Sequence, residues 1–149
     1  MAFLEWKCTT LYTSDVELLK SPAWFNDNII NFCCDYMQYV LFNDKPYKFV
    51  HPGTSFVILH ESHDAADLKD TVEGSGINRE KSLIFFPVND SQNLTKPGGS
   101  HWSLLVWERK TEMFYVFDSM SVTGNSSAHK LAEKTECKFF WLQQKKISK

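Results

Sequence analysis

The stretch that decides the fold is Gly98-Gly99-Ser100-His101-Trp102-Ser103-Leu104-Leu105-Val106-Trp107. After five mostly charged residues, 108–112, it continues as Met113-Phe114-Tyr115-Val116-Phe117-Asp118-Ser119. Two apolar runs, 102–107 and 113–118, joined by a short polar turn, read as an antiparallel hairpin, although the turn has no Asn-Gly or Asp-Gly pair. In such a hairpin the start of one strand lies beside the end of the next. His101 opens the first strand and Asp118 closes the second, so the two become neighbours across 118 − 101 = 17 positions. A carboxylate beside an imidazole fixes its tautomer and stabilises the protonated ring, as a general base and its orienter require. A surface histidine near a surface aspartate at a sheet edge has the same spacing, and spacing alone does not separate the two readings.

Outward from the hairpin, Leu83-Ile84-Phe85-Phe86-Pro87-Val88 reads as a buried strand, followed by a polar loop over 89–100. On the other side, Ala128, Leu131, Ala132 and Thr135 recur at helical spacing within 126–136, and Phe139-Phe140-Trp141-Leu142 reads as one more strand. Upstream, 3–8 alternate as an edge strand. Ser14-Asp15-Val16-Glu17 has capping-box spacing for a short helix through Leu19, which Ser21-Pro22 breaks. From Asn26 or Asp27 a helix extends to about Val40. One of its faces carries Ile30, Cys33, Cys34, Met37 and Leu41, and a neighbouring stripe carries Ile29, Phe32, Tyr36 and Val40. A helix apolar over so much of its circumference is expected to be buried on more than one side. Phe56-Val57-Ile58-Leu59 fits a strand or the middle of a short helix, and 65–72 fits a weak helix ended by Gly74-Ser75-Gly76. With no repeat and no linker, the 149 residues read as one α+β unit.

Composition sets the class. Hydrophobic content of 43% and aromatic content of 15% fit a packed globular chain. A formal charge of −2 gives no reason to expect nucleic acid, and the one basic run, Lys145, Lys146 and Lys149, reads as a solvated tail. No stretch is apolar enough for a membrane span, and residues 1–19 do not form a secretory leader. The four cysteines, Cys8, Cys33, Cys34 and Cys137, show no CxxC spacing and point to reduced thiols in the cytoplasm or nucleus. The N-x-S/T triplets at Asn89, Asn93 and Asn125 then read as loop chemistry. A zinc site from Cys33, Cys34, His60 and His63 is not expected, because adjacent cysteines on a helix point apart. No cofactor is implied.

Three blocks in order and at matching spacing resemble the ubiquitin-like-protein-specific cysteine proteases, the sentrin-specific protease family. They are Trp24-Phe25-Asn26-Asp27-Asn28-Ile29-Ile30, similar to the family's Trp-Leu-Asn-Asp helix entry with Phe25 in place of Leu, the Gly98 to Val106 segment, and Phe117-Asp118-Ser119. Phe86-Pro87-Val88-Asn89-Asp90 resembles the deneddylase branch most, and the resemblance runs from about Ser14 to Glu136. It implies a papain-like fold of the ubiquitin-like protease type. It also implies a thiol-dependent peptidase that processes or removes a ubiquitin-like modifier after its C-terminal Gly-Gly, the neddylation modifier first and SUMO second. His101 would be the general base and later the acid, oriented by Asp118. Trp24 and Trp102 would line a slot that passes only glycines, since flat indoles leave no room for a Cβ. Asp27, Asn89 and Asp90 would touch the body of the modifier. Plain core packing is the alternative for the two tryptophans.

The resemblance also identifies what to look for and not find. Family members carry a glutamine that helps bind the oxyanion, then Asp-Cys-Gly at the start of a long helix whose N-terminus favours the thiolate. Neither stands in these 149 residues, and Gln143 and Gln144 have no Asp-Cys-Gly after them. Cys33 and Cys34 sit in the helix expected to be buried, Cys8 in the N-terminal strand, and Cys137 at a helix end where the dipole disfavours a thiolate. The expectation is the N-terminal and central part, 1–149, of a single protease domain, truncated before its Cys-bearing helix subdomain. Apolar surface would then be uncovered around Phe139, Phe140 and Trp141, and there would be no turnover as given. The alternative is a non-catalytic homologue that binds the modifier.

Overall fold

The computed structural model describes the chain except residues 21, 61–64, 79, 94–97, 121–126 and 145–149, and describes the backbone of 65–69 and 137–144. A two-stranded hairpin, β1 (Ala2–Trp6) and β2 (Thr9–Tyr12), precedes α1 (Thr13–Leu18) and α2 (Asp27–Tyr36), which ends in a π-helical turn, Met37–Leu41. Then come β3 (Tyr47–Phe49), α3 (Pro52–His60), α4 (Ala65–Gly74), β4 (Leu83–Asn89), β5 (Trp102–Glu108), β6 (Met113–Phe117) and α5 (Ser127–Gln144). The main sheet has the order β3-β4-β5-β6. β3 runs parallel to β4 across a helical crossover, and the other pairs are antiparallel.

Alternation along the strands builds the core. Ile84 pairs with Trp107 and Phe86 with Leu105, while Trp107 pairs with Phe114 and Leu105 with Val116. These side chains share one sheet face and pack with Val50, Ile58, Leu59, Val72, Ala128 and Leu131 from beneath α3, α4 and α5. Burying each large aliphatic or aromatic group there stabilises the fold by about 1.5–3 kcal/mol. The opposite face is apolar too. Phe49 stacks on Phe85 with ring centroids 4.6 Å apart, but at the β6 edge Met113, Tyr115 and Phe117 stay exposed.

Several sequence expectations need correction. The opening strand is half of a hairpin, made possible by Lys7 in the left-handed region (φ 54°) without a glycine to announce it. The N-cap of α1 is Tyr12, and Asp15 at the third helical position accepts from the Tyr12 N–H at 2.7 Å, so the box lies two residues earlier than Ser14/Glu17. Glu17 instead pairs with Lys20 on the surface. Residues 56–59 are helical, inside α3. Residues 139–142 are helical as well: α5 runs to Gln144, so Cys137 lies within it and does not end it. Positions 135, 139 and 142 continue the helical spacing of 128, 131 and 132, and this frame overrides the local β-propensity. The side chains of Phe139, Phe140 and Trp141 fall outside the described set, as do His63, Pro97, Asn125 and the terminal lysines. Among the described residues no helix is long and apolar enough to cross a membrane.

The largest departure is on α2. The helix buries Ile29, Cys34 and Asp35, while Cys33, Tyr36, Met37, Tyr39, Val40 and Leu41 are exposed. A carboxylate, not the apolar stripe, selects the buried face. Asp35 is 2% exposed, and its Oδ2 accepts from Cys8 N (3.2 Å) and Thr9 Oγ1 (2.8 Å). Its Oδ1 meets His51 Nε2 at 2.8 Å. One side chain thus ties the N-terminal hairpin, α2 and the entrance to α3 together. Buried carboxylates persist only when so satisfied. Asp35→Ala, which strands these donors, is expected to cost about 2–4 kcal/mol in denaturant titrations at unchanged slope. Cys33→Ser, on the exposed side, should stay within about 0.5 kcal/mol. Equal midpoints for the two variants would refute this account of α2.

Candidate active site

The β5–β6 register, Leu104 opposite Phe117 and Leu105 opposite Val116, carries the start of β5 and the end of β6 to the same edge of the sheet. His101 precedes β5 and Asp118 follows β6. His101 Nε2 lies 2.6 Å from Asp118 Oδ1, with the two side chains 13% and 14% exposed. The same Oδ1 accepts from the Met120 N–H at 2.9 Å. The Met120 amide first, and His101 second, hold the Asp118 carboxyl below its usual range. Ionised Asp118 can only accept, so the proton of the neutral ring resides on Nε2. The lone pair is then on Nδ1, which forms no hydrogen bond among the described residues. The arrangement is a base with its orienter in place.

Beside it, Trp102 donates from Nε1 to the Phe25 carbonyl at 2.8 Å, which joins the start of β5 to the segment before α2. Asn26 caps α2 by accepting from Ile29 N, and its own amide donates to Asp15 Oδ1 at 2.7 Å. Asp15 also accepts from Asn28 Nδ2 and Tyr12 N. Burial raises the Asp15 carboxyl, but these donors prevail and its net shift is downward. A groove of about 700 Å³ runs past the pair, lined by Ile30, Pro87, Trp102, Leu104, Phe117 and Asp118 among others. Trp102 forms part of its wall. Trp24 does not line it: this indole is 66% exposed, which rules out plain core packing for it. Asp27 sits in the first turn of α2 with its carboxyl raised by burial.

Asn89 ends β4 opposite Trp102, and Asp90 follows it. Asn89 Oδ1 accepts from Ser91 N, and the Asp90 carboxylate receives the backbone just before β5. The structure therefore brings His101, Trp102, Asn89, Asp90 and Asp118 to one end of the sheet, with Asp27 and Trp24 on the neighbouring helix entry. The supporting role of Asp15 was hidden in the sequence because its partners lie 11 and 13 residues away.

The thiols stand apart from this edge. Cys34 is buried and donates to the Val50 carbonyl at 3.4 Å. Burial, then the neighbouring Cys33 and Asp35, pushes it up to about 12. Cys8 and Cys33 are free and exposed. None of the three lines the groove.

No protein-family model matches the chain. Among curated proteins it is 33% identical over 135 residues to Sentrin-specific protease 8 of Homo sapiens, across 89% of this chain and 62% of that protein. It is 31% identical over 129 residues to NEDD8-specific protease 1 of Arabidopsis thaliana, across 86% of this chain and 56% of that one. The chain thus spans about three fifths of the length of these two relatives. Among solved structures, the SUMO protease Ulp1 with its catalytic cysteine oxidized to a sulfinic acid superposes with a TM-score of 0.70. That match has 19% identity and covers 91% of this chain and 57% of Ulp1. The fold is that of the ubiquitin-like-protein proteases, as the three sequence blocks implied.

The His101–Asp118 contact has a defined pH signature. Because the folded-state value of Asp118 is depressed, its contribution is fully present above the ordinary carboxylate value of about 3.9 and is lost as pH falls through the lower folded one. A downfield Nε2–H resonance of His101 should survive acidification through about pH 4, the ordinary carboxylate range, and be lost only as pH falls further. Asp118→Ala should abolish it at every pH. Its persistence in that variant would rule out the pairing.

Proposed function

We propose that this relative of the sentrin-specific and NEDD8-specific proteases is the base-bearing part of a thiol isopeptidase acting on a ubiquitin-like modifier after its C-terminal Gly-Gly. NEDD8 is the first candidate and SUMO the second. The observation that carries the reading is the 2.6 Å contact between His101 Nε2 and Asp118 Oδ1 beside the wall formed by Trp102. In that chemistry His101 Nδ1 takes the proton of an attacking thiol and later returns it to the leaving amine. Asp118 keeps the ring oriented and offsets the positive charge that forms on it. The modifier's tail lies along the groove past Trp102, with the exposed Trp24 outside the groove at its helix-entry side, and the flat indole faces admit glycine and exclude a Cβ. Asp27 and Asn89 face the modifier's body.

The 149 residues hold no Asp-Cys-Gly, and none of the described thiols lines the groove. We therefore read them as the N-terminal and central part of a single protease domain that binds the modifier without cutting it. The described cysteines are free, which agrees with residence in the cytoplasm or nucleus.

The test is a titration of the chain with NEDD8, and in parallel with SUMO, read by tryptophan fluorescence. NEDD8 should bind saturably, and Trp102→Ala should weaken it about tenfold or more. A NEDD8–fluorophore fusion should not be cleaved. Lack of saturable binding, or an unchanged affinity in the variant, defeats the modifier reading. Labelling of any cysteine by a NEDD8-derived electrophile defeats the claim that the thiol is missing.

A further inference from the structure

His101 stands at a weak point of the chain. Two glycines precede it, and Gly99 adopts φ +99°, so the backbone leading into the strand carries the highest conformational entropy available to it. Something outside that segment has to fix it.

The fixing group directly follows β4. Asp90 Oδ1 accepts from the Ser100 N–H (2.6 Å) and the His101 N–H (3.1 Å), and Oδ2 accepts from Ser100 Oγ (2.8 Å). The Asp90 N–H in turn donates to the His101 carbonyl at 3.2 Å, which extends the β4–β5 ladder by one rung. An ionised carboxylate offers about four lone-pair positions. Three are occupied by this one dipeptide, leaving little for a docking partner. Burial raises the Asp90 carboxyl, yet the Ser100 and His101 donors outweigh it and hold the group below its usual range. Gly99 completes the neck. A Cβ there would sit 1.8 Å from Asn89 Oδ1, a separation no side chain tolerates, so Asn89 occupies the space that any other residue would need.

We propose that Asp90 is a positioning residue for His101, with Asn89 and Gly99 as the close contact that shapes the neck of the loop around it. The proposal rests on reading His101 as the base. Asp90 directly continues β4, which is paired with β5 along its whole length, so the clamp references the base to a paired strand of the sheet rather than to the loop that precedes it. Asp118 holds the far nitrogen of the ring; Asp90 holds the backbone from which the ring hangs. The two act at opposite ends of one residue.

The test uses the 149-residue chain and needs no turnover. Amide exchange at Ser100, His101 and Leu105, and the His101 Nε2–H resonance, are followed in the unaltered chain, Asp90→Ala, Asp90→Asn and Gly99→Ala. In Asp90→Ala the Ser100 and His101 amides should exchange about tenfold faster or more. The Nε2–H resonance should broaden, while Leu105 in the core keeps its protection. Asp90→Asn, which retains one acceptor oxygen, should recover part of the signature, and Gly99→Ala should reproduce the loss. If Asp90→Ala unfolds, so that Leu105 loses protection too, Ser100→Ala decides: it removes only the Oγ contact and should move the ring signals in the same direction by less. Ring signals identical to the unaltered chain, with Leu105 protected, overturn the proposal, as does an unchanged His101 amide. Failure of NEDD8 to bind the unaltered chain, with these couplings present, counts against the functional reading and not against the clamp.

Discussion

The antiparallel register of β4, β5 and β6 is the constraint on which the rest of the molecule depends. β5 is the middle of that ladder, and Leu105 and Trp107 anchor it in the core between Phe86 and Val116 on one level and Ile84 and Phe114 on the next. With the side-chain period fixed at two, a slip of one residue would invert every one of these contacts. The same slip would carry His101 away from both Asp90 and Asp118. Core packing and chemistry are therefore specified by one set of backbone hydrogen bonds.

Three aspartates arrange the surroundings of that ladder, each by satisfying its own chain. Asp35 ties hairpin, helix and the approach to α3 together, Asp15 fixes the entry to α2, and Asp90 closes the neck before β5. Their carboxylates accept mostly from backbone N–H groups or from side chains distant in sequence. At the buried Asp35 and Asp15 such contacts are worth more than exposed ion pairs because donors and acceptor leave water together. The surface pairs Lys20–Glu17 and Lys45–Asp44 contribute little by comparison.

What was legible in the sequence follows from this division. The hairpin and the juxtaposition of His101 with Asp118 were readable because alternation and run length report directly on a half-buried antiparallel pair. β3 was not, being three residues, Tyr47–Phe49, whose only partner is parallel and remote. Both hairpin turns escaped the usual signals because Lys7 and Glu112, not glycines, take the left-handed conformation. The orientation of α2 was misjudged for a different reason. Apolar periodicity counts Cys33, Met37 and Leu41 as interior and has no means of knowing that a carboxylate at position 35 will find three partners. For Asp90 the resemblance implies a contact with the modifier, and a polar residue in a polar loop carries no mark of the amides it receives.

The choice of ring nitrogen has a mechanical consequence. With Nε2 held by Asp118, the nitrogen left to exchange protons is Nδ1, which is bonded to the ring carbon that joins Cβ. It stands only two bonds from Cβ, so a displacement of the main chain at His101 reaches it almost in full. Errors in the polypeptide path before β5 thus pass to the basic atom nearly undiminished.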